Sequence, residues 1–303
     1  MKKIGLALSG GGIKSISQVP VIKAILKEEV SIDMVSGTSM GSVIAALVAC
    51  GLDADKLEEV VLALESEIKE KRLFSRPSAK VIPFMSKEKL IGGFVDGEEL
   101  EIVMERTLRE LGIYWIKDVK IPLVIPSVDV VTGKIILFVS HPEQFKNIHP
   151  DWEIVTDISL AKAVRASCSF PFVIAACEHE GYVLVDGGIR MNLPLDPLYS
   201  YGADKTIAIT MHTNEEFRNL ESLMGMAVRI MDLMRIEEDQ HIIERADVHI
   251  NIPLDDVWVF EVGKGIETIV QGEQVVSDHL AEIKNLTKEE SLLEILKGWL
   301  NVK

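Results

Sequence analysis

The sequence predicts a single α/β domain, and three observations carry that expectation. Short β-branched runs alternate with longer stretches at helical spacing, and no internal repeat or low-complexity linker divides the 303 residues. A Gly-x-Ser-x-Gly turn, Gly37-Thr38-Ser39-Met40-Gly41, stands between an apolar run and a helix. With 48% hydrophobic and 26% charged residues, a chain of this length can bury one sizeable core. That core is expected over about residues 1–212, with residues 213–303 completing the same domain.

Ile4 to Ser9 reads as a buried strand, Gly10-Gly11-Gly12 as a turn, and Ile13 to Glu28 as a helix. Pro20 has no N–H to give mid-helix, which predicts a kink or a late start. Met34-Val35-Ser36 supplies the next strand, and Val43 to Cys50, rich in Ala, Val and Leu, a helix packed inside the domain. Leu57 to Ile68 follows at helical spacing, and Asp96 is expected as the N-cap of a helix through Leu108. Between them, Leu73 to Phe94 is either a plain connection or a mobile apolar flap carrying Phe74, Phe84, Met85 and Phe94.

Ile121 to Val131 and Lys134 to Ser140 are β-branched runs joined by Thr132-Gly133, a hairpin signature. A helix is expected over Val155 to Ala166, strands over Tyr182 to Val185 and Lys205 to Met211, and a long helix over Glu221 to Glu244. A strand over Val248 to Ile252 and helices over Lys264 to Ile283 and Lys288 to Leu300 close the chain.

The formal net charge of -15 argues against nucleic acid, whose phosphates would be repelled, and against a polybasic membrane anchor. Three cysteines without a Cys-x-x-Cys pair suggest neither a disulfide framework nor structural zinc, so a reducing cytoplasm is expected. The apolar stretch after Met1-Lys2-Lys3 is too short for an export signal. Met34 to Leu52 carries no charge over a span that could cross a bilayer, but its Ser, Thr and Gly residues fit strand, turn and helix better.

The turn at Ser39 is suited to a nucleophile. Glycines two before and two after it allow a sharp bend, and the following helix directs free N–H groups at the hydroxyl. Acyl transfer further needs a base, oxyanion donors and an acyl pocket. Gly10-Gly11-Gly12 leaves backbone N–H groups unobstructed, and Lys14 adds a positive charge beside them. The same segment fails as a P-loop because Ile13 precedes Lys14-Ser15, and as a dinucleotide fingerprint because Ser15 stands where the third glycine belongs. For the base, His212 after Asp186 would give the Ser, Asp, His order of α/β-hydrolases, but only one strand precedes Ser39, which that topology does not fit.

Gly10 to Ser15, Gly37 to Gly41 and Asp186-Gly187-Gly188 together resemble the signature blocks of the patatin-like phospholipase family. Ala166 to Pro171, Asn192-Leu193-Pro194 and Gly202-Ala203-Asp204 extend the resemblance to about Met211. It implies a three-layer α/β/α sandwich with a mostly parallel central sheet, and Ser39 paired directly with Asp186 in a dyad without histidine. Gly10, Gly11, Gly12 and Lys14 would form the oxyanion loop. Hydrolysis of lipid acyl esters without metal or organic cofactor is implied, with peripheral membrane contact through the flap an open option. Phe74, Phe84, Met85, Phe94, Phe170 and Phe172 are candidate acyl-channel residues.

The chain departs from the family at Ser15, where glycine is usual, and at Lys14, where arginine is frequent; lysine keeps the charge and loses the bidentate fork. Two other readings stay open: an esterase or acyltransferase with a histidine-completed triad, and a catalytically weak lipid-binding protein of the same fold.

Overall fold

The computed structural model describes residues 2–78, 91–213 and 223–286. In chain order the elements are β1 (Ile4–Leu8), α1 (Gln18–Lys27), β2 (Met34–Gly37), α2 (Met40–Ala49), α3 (Ala54–Lys71) and α4 (Glu98–Glu110). There follow β3 (Leu123–Asp129), β4 (Ile135–Val139), β5 (Trp152–Val155), α5 (Leu160–Ser167), β6 (Cys177–His179) and β7 (Tyr182–Asp186). The chain continues through α6 (Asp196–Ser200), β8 (Lys205–Thr210), α7 (Leu223–Ile243), β9 (Val248–Asn251) and α8 (Gly265–Asn285).

The strands form one nine-stranded sheet whose main path runs β5-β4-β3-β2-β1-β8-β9. From β3 to β9 every neighbour on that path is parallel, whereas β4 returns antiparallel beside β3 as the expected hairpin. Side chains alternate between the faces. Ile4, Leu6, Leu8, Val35, Leu123, Ile125, Ile136 and Phe138 enter one core, while Ala7, Met34, Val124, Leu137 and Val139 enter another on the opposite side. Helices α1 to α5 and α8 cover the first core, and Leu198 of α6 covers the second. The result is a three-layer α/β/α sandwich around a mostly parallel sheet. Helix α7 places Val228 and Met231 against the first core and Ile242 and Ile243 against the second.

Several boundaries differ from expectation for local reasons. Gly12–Ser17 is a 3-10 turn and α1 starts at Gln18, so Pro20 falls in a first turn that has no use for its N–H. The α4 N-cap is Gly97; Asp96 lies one residue earlier, its carboxylate accepting from Glu98 N–H at 3.1 Å. The helix expected over Val155 to Ala166 is two elements. Its first residue ends β5, whose Ile154 pairs with Leu137, and α5 starts only where the Ser159 hydroxyl accepts from Lys162 N–H at 3.3 Å. Phe84, Met85 and the helix expected at Lys288 to Leu300 lie outside the described residues. Among the described residues no helix is long and apolar enough to cross a membrane, and Met34 to Leu52 is strand, turn and helix.

Candidate active site

Ser39 sits between the last residue pair of β2 and the first turn of α2, with φ 53° and ψ −130°. That conformation is costly for a residue with a Cβ and persists only where its surroundings enforce it. Here Thr38 N–H donates to the Leu8 carbonyl at 3.2 Å, and Ser39 N–H donates to the Ser167 hydroxyl at 2.9 Å. The motif glycines serve close approach. A Cβ on Gly37 would overlap the Gly41 carbonyl, and one on Gly41 would lie 2.6 Å from the Ser9 carbonyl oxygen. The bend therefore closes tightly on itself and presses the start of α2 against the end of β1.

The sheet brings Asp186 to this bend. Strand β2 pairs with β3 only through Val35–Leu123 and Ser36–Val124 before turning away. Strand β7 then takes over the same edge from the opposite direction, with Asp186 facing Ser127. Thus β2 and β7 meet tip to tip. Pro126, unusual in a central strand, lies at the junction. Leu123 N–H donates to Ser140 Oγ and Asp129 N–H to the Lys134 carbonyl, both toward β4. By the two-residue alternation the Pro126 nitrogen faces the gap between β2 and β7, where no ladder bond is forfeited.

Across that gap Ser39 Oγ–H donates to Asp186 Oδ2 at 2.6 Å. The other carboxylate oxygen, Oδ1, accepts from Gly188 N–H at 2.8 Å, which fixes the carboxylate plane. Asp186 is fully buried and Ser39 is 9% exposed. Burial raises the Asp186 pKa above that of an ordinary carboxyl, against the opposing Arg235 charge and the bonds from Ser39 and Gly188. A buried carboxylate of raised proton affinity is a better base than one in water.

The glycine loop divides its tasks. Gly10 N–H is committed to the Asn192 carbonyl at 3.2 Å, so it has no proton to offer a ligand. Gly11 and Gly12 line the cleft beside Ser39, and neither N–H donates to a described residue. Lys14 is turned away from Ser39. Its Nζ donates to the Leu254 carbonyl at 2.6 Å, beside the charges of Asp232 and Asp255. Ser15 is buried below Gly11 with a hydroxyl that has no partner among the described residues. His212 Nε2 pairs with the buried Asp239 carboxylate at 2.9 Å, and no hydrogen bond joins it to Ser39.

The segment from Met191 to Pro194 laces the two motifs together. Besides the Gly10 contact, Thr38 Oγ1 donates to the Met191 carbonyl at 2.8 Å and Ser36 Oγ to the Pro194 carbonyl at 2.6 Å. A cleft opens at Ser39, walled by Phe74, Phe170, Ile174, Val228, Val259 and Phe260 and rimmed by Asp232 and Arg235. Of the aromatic candidates, Phe74 and Phe170 line it, Phe172 is 60% exposed, and Phe94 packs on the core. Val228, Arg235, Val259 and Phe260 went unnoticed in the sequence. They come from the C-terminal third, where no motif marks them.

The family model described as patatin-like phospholipase matches residues 6–199, which contain the glycine loop, Ser39 and Asp186. An uncharacterised NTE family protein of Mycobacterium tuberculosis is 28% identical over 214 residues, covering 70% of this chain and 50% of its own length. The chain thus spans about half the length of the mycobacterial relatives it matches. The uncharacterised protein YqhO of Bacillus subtilis is 25% identical over 259 residues, covering 82% of this chain and 87% of its own. The crystal structure of VipD from Legionella pneumophila superposes with a TM-score of 0.48 at 14% identity, covering 92% of this chain and 67% of that one. The family match takes in more than half of the sequence: this chain belongs to the patatin-like phospholipase family.

Proposed function

We propose that the protein is a serine hydrolase of lipid carboxylic esters that works through a Ser39–Asp186 dyad and an acyl-enzyme. The observation that carries the reading is the 2.6 Å bond from Ser39 Oγ to a carboxylate buried at the tip of β7. Asp186 Oδ2 takes the hydroxyl proton as Oγ attacks the ester carbonyl carbon. The oxyanion that forms lies against the N–H groups of Gly11 and Gly12, near the positive end of α2. Collapse breaks the bond to the alcohol, which leaves with the proton from Asp186. Water then adds to the acyl-enzyme, gives its proton to Asp186, and releases the fatty acid as Ser39 recovers its own.

The apolar walls of the cleft suit an acyl chain, and their partial supply by Phe74 and Phe260 supports a lipid over a small polar ester. Nothing in this scheme calls for histidine, metal or organic cofactor. A cytoplasmic location belongs to the same reading, supported by Cys50, Cys168 and Cys177, all buried and unpaired. The test is labelling with a fluorophosphonate beside turnover of a short p-nitrophenyl ester. Wild type is expected to label and turn over, Ser39→Ala to do neither, and Asp186→Asn to be severely slowed. Persistent labelling of Ser39→Ala would sink the assignment, and absence of both activities in wild type would favour a lipid-binding role.

A further inference from the structure

Beside Asp186, at the rim of the cleft that opens at Ser39, lies a guanidinium that the dyad scheme does not use. Arg235 is 9% exposed and reaches in from α7, beyond the segment matched by the family model. Its Nε donates to the Gly188 carbonyl at 3.0 Å, and Gly188 N–H is the donor that fixes Asp186 Oδ1. The guanidinium carbon stands 5.3 Å from the centre of the Phe170 ring, and Nη1 is 3.7 Å from Asp232 Oδ1. Nη2 is buried without a hydrogen-bond partner among the described residues. The missing side chain of Gly188 opens the path: a Cβ there would lie 3.0 Å from Arg235 Nη2 and 3.0 Å from Asp186 Oδ1.

We propose that Arg235 is the positioning residue of the dyad. Its Nε bond holds the turn that orients Asp186, and its charge favours the carboxylate form against the burial that favours the acid. The proposal rests on the dyad reading above. The other charged or titratable groups that act on Asp186 or Arg235 are Cys168 after α5 and Asp232 and Glu238 on α7, with Lys14, Arg229 and His212 acting in turn on Asp232. Arg235 itself is the charge that acts on Asp186 to lower its pKa, while Asp232 draws part of the Arg235 charge to itself. Arginine suits the place because one planar group makes the Nε bond, stacks on Phe170 and still presents Nη2.

The test is the pH dependence of kcat/KM for a p-nitrophenyl ester in wild type, Arg235→Lys, Arg235→Gln and Asp232→Asn, with melting temperatures and Ser39→Ala alongside. Arg235→Gln keeps a donor for Gly188 and loses the charge. Its acid limb is expected to move up by about one pH unit, a roughly tenfold loss on the acid side. Arg235→Lys should retain the wild-type limb with a lower plateau, because the ammonium keeps the charge without the fixed Nε geometry. Asp232→Asn should move the limb the other way wherever Asp232 is ionised, since Arg235 then acts on Asp186 alone.

A limb that stays put in Arg235→Gln and Asp232→Asn overturns the proposal, as does an equal shift in the Lys and Gln variants. If the arginine variants do not fold, the direction of the Asp232→Asn shift decides. Full turnover by Ser39→Ala would instead remove the dyad reading itself, whereas its loss together with unmoved limbs removes only the role of Arg235.

Discussion

Replacing Asp186 by Asn should nearly abolish turnover while leaving the fold as stable or more stable at neutral pH. The amide keeps the Oδ1 acceptor for Gly188, but it turns the contact with Ser39 from an acceptor into a donor and has no site for the hydroxyl proton. Loss of a positioned general base is worth about 10²–10⁴ in rate, so a fall of about 10³ corresponds to roughly 4 kcal/mol of barrier.

The stability sign follows from linkage. The folded-state pKa of Asp186 is raised by burial, so the stability tied to the neutral acid is fully present below the unfolded-state pKa. It is lost as pH rises through the folded value. Asn stays neutral throughout, and Arg235 keeps the Gly188 carbonyl and Asp232 as partners. Melting temperatures between about pH 4 and pH 8 should therefore show the variant gaining on wild type as pH rises. Retention of more than about a tenth of the rate would refute the role of Asp186 as base. Destabilisation of the variant that deepens toward neutral pH would refute the electrostatic argument.

Ser15→Ala should raise stability by about 1 kcal/mol, read as a higher melting temperature with turnover unchanged, because it removes a buried hydroxyl without a partner. Gly12→Ala should lower stability by about 1–3 kcal/mol and slow turnover, since Gly12 has φ 57° and a Cβ there would overlap the Val259 carbonyl in the cleft wall. Glu238 is pushed up to about 7 by burial first and then by Asp239. Its folded pKa is raised, so Glu238→Gln should melt higher than wild type above about pH 7, with the gap closing as pH falls toward the unfolded-state value. Turnover by His212→Asn should stay within about threefold of wild type, far short of the loss expected for a missing general base; a loss of that size would restore the triad.

The parts of the site legible in sequence are those that obey local rules. The bend at Ser39 needs glycines at 37 and 41 because neighbouring backbone approaches both, and such a need leaves a short, readable pattern. The hairpin around Gly133 was readable for a similar reason. What escaped depends on distant partners. Trp152–Val155 became a strand because β4 offered an edge, and α5 had to wait for the Ser159 cap. The Gly10 N–H looked available in a glycine run, yet a carbonyl at Asn192 claims it. Lys14 looked like an oxyanion partner until the Leu254 carbonyl drew it aside, and Arg235 sits on a helix whose sequence reads as ordinary core. None of these assignments can be made before the chain is folded.

Ser39 and Asp186 are 147 residues apart, and the strand between them in space, β3, holds both. Their spacing is set by a few peptide units of that one strand, so the two side chains meet only after β2 and β7 have both annealed to it. Local helix formation cannot substitute for this event, and such long-range pairing is among the slower steps of folding. Covalent capture of Ser39 during refolding would consequently act as a clock for sheet completion, timed at the junction marked by Pro126.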